Sequence, residues 1–457
     1  MKRTEVDVVV IGAGITGLVT AFNLIQSGKK VLLLEKANRT GGQLNTVTEK
    51  GFVFESGPNT GVLNNIEVIR LFEKLQNCIQ PETARKESKI RLIWKGKSFH
   101  ALPNGLQTGI TTPLFTLKDK IRICFEPWRS KGNDPQESIG TLARRRLGNS
   151  FFQYAVDPFI SGVYAGDPDR LVTRFALPKL YNLEQNYGSF IRGAIKLHKS
   201  NKSVEEKKVT KEVFSVPGGF GQLAIALTGS ISPDNIRLSV DHAEIRPANE
   251  HFRWKTILGN QEEIVLSNHV VTTVPAYALP GLLPFTDEKL LGIIARMPYA
   301  PVVQVGVGVR SQSQHVPLSF GGLIPSCENK DMLGILFPSS CFENRAPKDG
   351  ATLSFFLGGR KRPEIIDWTD DQIRQTVEEA LTTMLGFSKS FKPDALLLFR
   401  HERAIPQYEA DSEVRLLAIN QLQSDFPGLI LAGGIRDGIG LGDRIRQAAM
   451  ISEEICC

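Results

Sequence analysis

Three glycines near the start of the chain, Gly12, Gly14 and Gly17, have a spacing that suits contact with phosphate groups. They follow a β-branched run over residues 7–11, which predicts a buried strand, and precede residues 18–25, which have helical spacing. Gly12 permits a tight turn, Gly14 lets the backbone approach a pyrophosphate, and Gly17 lets the helix pack on the sheet. The first amides of the helix can then donate to an anion. The segment predicts a dinucleotide-binding turn.

A carboxylate follows the second predicted strand, residues 31–34. Glu35 lies 18 residues after Gly17, near the spacing at which an acidic side chain accepts hydrogen bonds from ribose hydroxyls. The short crossover between the two strands makes them parallel. NAD and FAD both bind to such a unit, so it predicts a dinucleotide without choosing between them.

The segment after Glu35 favours one of the two cofactors. Arg39 precedes Gly41 and Gly42, and residues 57–60 read GPNT. A guanidinium near a pyrophosphate neutralises its charge, and glycines let the backbone touch a cofactor. Here the sequence resembles the flavin amine oxidase superfamily, which implies FAD. Relatives usually have Arg after the second glycine, whereas this chain has Gln43, so one contact with phosphate or flavin is expected to differ.

Residues 432–442, AGGIRDGIGLG, resemble the second flavin segment of that superfamily. The resemblance implies a helix N-terminus at the N1–C2=O edge of the flavin, where its dipole would favour the reduced form. The segment has no cysteine, so FAD is expected to bind non-covalently. His401 stands where many relatives have Trp near the flavin. The residues expected to contact FAD are Gly12, Gly14, Ile15, Thr16, Gly17, Glu35, Lys36, Arg39, Gly41, Gly42, Gly57, Pro58, Asn59, Thr60, His242, His401, Gly438, Ile439 and Gly440.

The middle of the chain is similar to plant and bacterial protoporphyrinogen oxidases. Residues 157–168 read DPFISGVYAGDP, and residues 175–184 and 213–223 carry further similar segments. The resemblance spans nearly the whole chain. It implies six-electron oxidation of protoporphyrinogen IX to protoporphyrin IX in haem biosynthesis, with O2 as acceptor and H2O2 as product. No catalytic base and no metal site is predicted, because pyrrole protons can leave to water and the histidines lack relay or ligand spacing.

Substrate binding should combine an apolar slot with cations for the propionates. The resemblance places Arg91 at the propionate, Gly162 with its backbone facing a pyrrole, and Leu323 and Phe342 on the two faces of the macrocycle. A guanidinium pairs with a carboxylate through two hydrogen bonds. The alternatives are a solvated charge for Arg91 and ordinary core packing for Leu323 and Phe342.

Three other functions remain open at this stage. The same family oxidises coproporphyrinogen III, whose four carboxylates would favour a wider and more basic pocket. A flavin amine oxidase or a carotenoid desaturase-like enzyme is less favoured, because residues 296–304 lack the lysine that amine oxidases often carry there. A non-catalytic flavin- or porphyrin-binding protein is the third alternative.

These inferences predict an α/β protein of three parts. Residues 1–88, 206–270 and 396–457 form a Rossmann-like FAD-binding domain, and residues 271–395 form a mixed-sheet substrate domain. Residues 89–205 form a largely helical insertion, which docks on membranes in relatives. Within these parts we expect strands at 302–309 and 429–432 and helices at 364–386 and 440–455.

The composition is that of a globular protein, with 41% hydrophobic and 23% charged residues. The net charge of +7 is compatible with an anionic membrane face or an acidic small molecule, and equally with a solvated surface. No basic run is interleaved with aromatic residues, so nucleic acid is not expected as a partner. The six cysteines lack metal-site spacing. We therefore expect free thiols. We also expect a cytoplasmic protein, either free in the cytosol or bound peripherally to the cytosolic face of a membrane. A homodimer is compatible with the sequence.

Overall fold

A computed structural model describes residues 2–198, 204–248, 253–259, 263–311 and 315–457. The strands are β1 (Lys2–Glu5), β2 (Val8–Ile11), β3 (Val31–Leu34), β4 (Thr46–Glu49), β5 (Phe52–Glu55), β6 (Gly61–Val62), β7 (Glu82–Thr83), β8 (Arg91–Lys95), β9 (Ser98–Ala101), β10 (Val213–Ser215), β11 (Ile236–Arg237), β12 (Ala243–Pro247), β13 (Trp254–Leu258), β14 (Glu263–Ser267), β15 (His269–Thr272), β16 (Tyr299–Val309), β17 (Gly321–Leu323), β18 (Gly334–Leu336), β19 (Ala351–Gly358), β20 (Ala395–Pro406) and β21 (Leu429–Leu431).

The helices are α1 (Ile15–Gln26), α2 (Ile66–Lys74), α3 (Leu106–Thr111), α4 (Leu117–Cys124), α5 (Ile139–Arg146), α6 (Asn149–Phe151), α7 (Asp157–Tyr164), α8 (Thr173–Ala176), α9 (Pro178–Tyr187), α10 (Phe190–His198), α11 (Val204–Lys207), α12 (Gly221–Gly229), α13 (Leu279–Leu282), α14 (Glu288–Ala295), α15 (Pro338–Cys341), α16 (Asp370–Leu385), α17 (Ser412–Asp425) and α18 (Leu441–Cys456).

A five-stranded parallel sheet of order β11-β3-β2-β15-β21 carries the nucleotide motif. Its central strand β2 is wholly buried, which explains its continuous run of β-branched residues. Helices α1 and α18 share the core on one face, and α14 and α17 share the core on the other. This arrangement confirms the predicted Rossmann-like unit.

A seven-stranded mixed sheet of order β20-β16-β19-β18-β17-β8-β9 forms the second large layer. Helix α16 packs on it through Ile373, Val377 and Leu381. The predicted helix at 364–386 begins later, at Asp370, because residues 363–367 form a 3-10 turn after Pro363 and Thr369 then caps α16. The mixed-sheet prediction is confirmed.

The division of the chain into three parts stays a prediction, and the sheet pairing shows where its limits would move. Strands β8 and β9 lie within the predicted insertion, yet they pair with the substrate sheet through β17. Strand β20 lies at the start of the predicted last FAD segment, yet it pairs along β16. Residues 199–203, near the end of the predicted insertion, lie outside the described residues.

The helical insertion is held by a buried ion network. The side chain of Arg146 is 0% exposed and lies 3.2 Å from Glu126 and 2.9 Å from Glu184, which are also buried. Arg145 pairs with Glu184 at 2.9 Å and with Glu137 at 2.7 Å. Removing one partner of such a network leaves an uncompensated buried charge. The basic run at 144–146 therefore ties α5 to α9 and to residues 126–128, instead of forming only a solvated face.

Candidate functional site

The glycine turn has the shape that its sequence predicts. Gly12 has φ +97°, and a Cβ on Gly17 would lie 1.8 Å from the Gly12 carbonyl oxygen, so α1 can approach β2 only with glycine at that position. Gly14 is different, because a Cβ there would meet no described atom within 4 Å. The backbone of Gly14 thus borders open space, which is the room that a pyrophosphate needs.

The N-terminus of α1 opens onto the same space. Gly14 is the N-cap, no described side chain caps it, and the first turn carries no acidic residue. The amides of Ile15, Thr16 and Gly17 have no partner within a helix of this geometry. They can therefore donate to an anion in the field of the helix dipole.

Glu35 stands at the end of β3 beside this turn. Its carboxylate accepts hydrogen bonds from the amides of Ala13 at 2.6 Å and Ala37 at 2.8 Å. These bonds fix its orientation and leave lone pairs for ribose hydroxyls. The amide of Val240 donates to the Glu35 carbonyl at 2.9 Å. This bond brings the segment leading to His242 to the exposed stretch that contains Lys36.

The second glycine segment lies against the first. The Gly41 amide donates to the Ala13 carbonyl at 2.8 Å, and a Cβ on Gly42 would lie 3.1 Å from the Gly14 Cα atom. The exposed guanidinium of Arg39 donates to the Gly42 carbonyl at 2.9 Å. A fixed cation thus stands beside the phosphate turn. Gln43, where relatives have Arg, donates instead to the Ala404 carbonyl of β20 at 2.9 Å.

The loop of residues 57–60 is positioned by a buried carboxyl that the sequence interpretation did not single out. Glu55 accepts hydrogen bonds from the Thr46 hydroxyl and from the Phe220 amide, each at 2.7 Å. Burial raises its pKa to about 7, against the opposing effects of these hydrogen bonds and of the Arg345 charge. Glu55 therefore joins β5 to the glycine-rich turn before α12.

The same loop touches the substrate sheet. The Gln304 side-chain amide (Nε2) donates to the Glu55 backbone carbonyl at 2.7 Å, and the Ser354 hydroxyl donates to Asn59 Oδ1 at 2.9 Å. Asn59 Nδ2 in turn donates to the Gly57 carbonyl at 3.2 Å. Residues 57–60, including Pro58, therefore lie where the two large sheets meet.

The C-terminal glycine segment is held by three residues that the sequence interpretation also missed. The Tyr408 hydroxyl is 3.2 Å from the carbonyl oxygens of Gly434 and Gly438. Arg444 donates to the Gly433 carbonyl and, at 2.7 Å, to the Arg436 carbonyl. Gln447 donates to Asp437 at 2.8 Å. Arg444 and Gln447, three residues apart on the mostly apolar buried face of α18, are a signal that could have identified this clamp.

The first turn of α18 contains an acidic side chain in addition to the positive end of the helix dipole. Gly438 has φ +98°, and the Gly440 amide donates to Asp443 at 3.3 Å. This carboxylate lies in the first turn, where its charge opposes part of the helix dipole. The predicted preference for reduced flavin at Gly438, Ile439 and Gly440 would thus be weaker than the helix by itself implies.

His401 lies on β20, opposite Val302 of β16. Its Nε2 atom is buried and has no hydrogen-bond partner among the described residues. Burial lowers the pKa of His401, while a backbone hydrogen bond with Ser56 acts in the opposite direction. A buried nitrogen without a partner is costly, so a group that binds beside residues 56–57 would satisfy it.

A small cavity connects the cofactor loop to the apolar residues predicted to bind substrate. It is lined by Asn59, Thr60, Phe320, Leu336, Pro338, Cys341 and Phe342. The Phe342 ring is 2% exposed. Burial raises the pKa of the Cys341 thiol to about 11, so it is neutral near pH 7. The structure therefore brings Thr60 and Phe342 together, although they are distant in sequence.

The other predicted substrate residues, Arg91, Gly162 and Leu323, are not among the residues that line this cavity, and of the three Arg91 contacts its wall. Arg91 on β8 pairs in register with Gly321 on β17, and its guanidinium lies 5.7 Å from the centre of the Phe320 ring. Arg91 is exposed and has no carboxylate partner within the described residues. Two residues further along β17, Leu323 packs on α7, where a Cβ on Gly162 would lie 2.4 Å from Leu323 Cδ2.

Comparison with known proteins agrees with this geometry. A family model described as flavin containing amine oxidoreductase matches residues 15–435. The chain belongs to this family. It is 27% identical to protoporphyrinogen oxidase 2, chloroplastic/mitochondrial, from Arabidopsis thaliana over 487 aligned residues, covering 98% of this chain and 93% of the relative. It is 28% identical to protoporphyrinogen oxidase from Homo sapiens, covering 98% of each chain.

A solved structure shares the fold. The crystal structure of a protein from Exiguobacterium sp. 255-15, provisionally named protoporphyrinogen oxidase, superposes with a TM-score of 0.79 at 23% identity. The match covers 100% of this chain and 98% of that protein. The predicted fold class is thereby confirmed, and membership of the family makes this chain an FAD-dependent oxidoreductase.

The residues present fit the cofactor of the family. The open space at Gly14, the uncapped start of α1, and the unpartnered Nε2 atom of His401 are features that a bound dinucleotide and flavin would complete. Among the described residues no cluster of side chains could hold a metal ion. Within the same part of the chain no helix is long and apolar enough to span a membrane.

Proposed function

We propose that this flavoenzyme oxidises protoporphyrinogen IX to protoporphyrin IX in haem biosynthesis. The observation that carries the proposal is that Thr60 of the cofactor loop lies next to an apolar wall formed by Phe320 and Phe342, with Arg91 beside the Phe320 ring. This wall is apolar, and Arg91 at its edge is paired with no described acid, which suits a tetrapyrrole bearing propionates. Similarity to protoporphyrinogen oxidases along the whole chain supports it.

Each of the predicted residues has a part in this proposal. The backbone around Gly12, Gly14 and Gly17 and the amides of Ile15 and Thr16 would hold the pyrophosphate, and Glu35 the ribose. Lys36 and His242 would lie at the adenosine end of FAD. Arg39, Gly41 and Gly42 would lie over its phosphates. The flavin end would be contacted by residues 57–60, His401 and residues 438–440.

The reaction removes six electrons and six protons in three two-electron steps, and bound FAD supplies the electron acceptor. We propose O2 as the final acceptor, with one O2 reduced to one H2O2 for each two-electron step. Among the described residues that line the cavity, the only ionisable side chain is the neutral Cys341 thiol. Pyrrole protons would therefore pass to water, and this chain's residues would bind and orient the macrocycle and exclude bulk solvent.

Anaerobic mixing of the FAD-loaded protein with each porphyrinogen tests the proposal. With the FAD-loaded protein in at least threefold excess, because each FAD accepts two of the six electrons, protoporphyrinogen IX should bleach the flavin absorbance and produce porphyrin fluorescence. Air should then release three H2O2 per porphyrin formed. Coproporphyrinogen III, with four carboxylates, is the comparison substrate. Faster bleaching by coproporphyrinogen would reassign the substrate, and an unbleached flavin with both would overturn the proposal and favour a non-catalytic binding protein.

We further propose that the insertion docks on an anionic membrane face. Large apolar side chains on and after α4 are exposed, including Leu117 at 73% and Trp128 at 72%. The Phe125 and Trp128 rings lie 6.2 Å apart, and the exposed Lys118 lies in the same segment. Apolar side chains beside cations are typical of interfacial binding.

Sedimentation with vesicles of anionic phospholipid tests this docking. Replacing Phe125 and Trp128 by Ser should release the protein from the vesicles, whereas Leu417→Ser, at an exposed leucine on α17, should not. Equal binding of both variants would contradict the docking. Sedimentation-velocity analytical ultracentrifugation without lipid tests the homodimer with which the sequence is compatible.

A further inference from the structure

A basic segment, defined as residues 85–91, is hydrogen-bonded at both ends to residues that line the cavity. At its start, the Arg85 amide donates to the Cys341 carbonyl at 3.0 Å. At its end, the Phe320 amide donates to the Ile90 carbonyl at 2.9 Å. Since Cys341 and Phe320 both line the cavity, the two ends of the segment are fixed to two parts of the cavity wall.

Arg85 is an exposed cation held at this wall without an acid. Its Nη1 atom donates to the Ser339 carbonyl at 3.4 Å, a long bond to α15 that leaves most of its donors unused. No carboxylate of the described residues pairs with it. Its charge also lowers the pKa of the Cys341 thiol, against the larger effect of burial, so its field reaches a group that lines the cavity.

Three other cations, Arg345, Lys361 and Lys89, are already paired with acids. Arg345 pairs with Glu82 at 3.2 Å, and Lys361 pairs with the buried Asp157 at 2.5 Å. Lys89, inside the basic segment, pairs with Glu212 at 3.4 Å. Arg85 and Arg91 are thus the two arginines at the cavity wall whose charges are not balanced by a described acid.

We propose that Arg85 is a second carboxylate-binding residue, and that Arg85 and Arg91 each bind one propionate of the porphyrinogen. This inference rests on the proposed function and extends it, because it assigns the two carboxylates of the substrate to opposite ends of one segment. Arginine suits the task because its planar guanidinium can donate two parallel hydrogen bonds to a carboxylate. Lysine at the same position would keep the charge but lose the paired geometry.

The test uses Arg85→Gln and Arg85→Lys in the FAD-loaded protein. Lys86→Gln is the matched control, because Lys86 is exposed in the same segment and makes no ion pair with a described residue. Arg85→Gln should raise KM by about 5- to 20-fold with little change in kcat, and Arg85→Lys should fall between it and the wild type. Lys86→Gln should stay within about twofold of the wild type, since its charge is solvated.

A binding measurement separates this role from a structural one. The affinity for protoporphyrin, followed by quenching of its fluorescence, should fall in Arg85→Gln by about the same factor. With protoporphyrin dimethyl ester, which lacks the carboxylates, wild type and variant should bind equally. The proposal would be overturned if Arg85→Gln had the same KM and porphyrin affinity as Lys86→Gln. It would also be overturned if wild type and Arg85→Gln differed as much in affinity for the dimethyl ester as for protoporphyrin. Absence of turnover in the wild type would instead overturn the proposed function.

Discussion

Gly162 and Leu323 are in direct contact: a Cβ on Gly162 of α7 would lie 2.4 Å from Leu323 Cδ2 on β17. The two residues are 161 positions apart (323 − 162) and join the insertion to the substrate sheet. Any side chain at position 162 must therefore displace Leu323, which is only partly buried.

Gly162→Ala should lower the free energy of unfolding by roughly 1–3 kcal/mol, because it overpacks this contact. It should also lower kcat/KM by about 10-fold, because it displaces Leu323 from the position proposed for the substrate wall. FAD content should not change. Combining Gly162→Ala with Leu323→Ala should recover more activity than the sum of the single effects predicts, since the second change removes the clash. Gly109→Ala is the control in the same insertion, where a Cβ meets no described atom within 4 Å. Strict additivity of the two changes would contradict the contact.

The geometry of the glycine turn predicts that Gly14→Ala affects FAD affinity, whereas Gly17→Ala affects folding stability. Gly14→Ala should leave folding intact, because a Cβ there has open space, but should weaken FAD binding by about 10- to 100-fold. Gly17→Ala should destabilise the protein itself, because its Cβ would lie 1.8 Å from the Gly12 carbonyl oxygen. Flavin absorbance titrated against added FAD measures the first effect, and far-UV circular dichroism on heating measures the second. FAD binding by Gly14→Ala at wild-type affinity would contradict the position assigned to the pyrophosphate.

Glu55 predicts a pH dependence of stability. Its pKa is raised to about 7 in the folded protein, from 4.5, so the folded state binds a proton more tightly than the unfolded state does. Stability should therefore fall as pH rises from about 5 to about 7 and then level off, by about 2–3 kcal/mol from this group. Glu55→Gln, which cannot ionise, should lose this slope and be the more stable form above pH 7. Urea unfolding at pH 5, 6, 7 and 8 compares the two proteins, and parallel pH curves would contradict the shift.

Arg91→Ala should raise KM by about 10-fold or more and change kcat much less. A propionate keeps the same charge in the ground state and the transition state, so the loss is one of uniform binding. Steady-state kinetics at low ionic strength give the clearest difference, because salt screens an exposed pair. A large fall in kcat at unchanged KM would remove Arg91 from the carboxylate site.

The cofactor half of this protein could be predicted from the sequence because its determinants are local. The glycine turn, Glu35 and strands β2 and β3 lie within 35 consecutive residues. Their hydrogen bonds run between segments close in sequence, such as Ala13 and Glu35. Backbone conformation, helix dipole and strand burial are short-range properties, so residue type and spacing determined them. Strand β16 and helix α18 were predictable for the same reason, through the periodicity of their own residues, whereas the mixed sheet was implied by the resemblance to the family.

The substrate side was decided by tertiary structure. The parallel pairing of β8 with β17 sets Arg91 beside Gly321, and the contact of Glu55 with Phe220 spans 165 positions. Neither leaves a local pattern, because parallel strands and buried hydrogen bonds between distant segments depend on how the layers stack. The sequence by itself determined which dinucleotide unit this chain builds. The packing of the two large sheets alone determined that the apolar wall, the buried Glu55 carboxyl and Arg91 lie together next to the dinucleotide-binding unit.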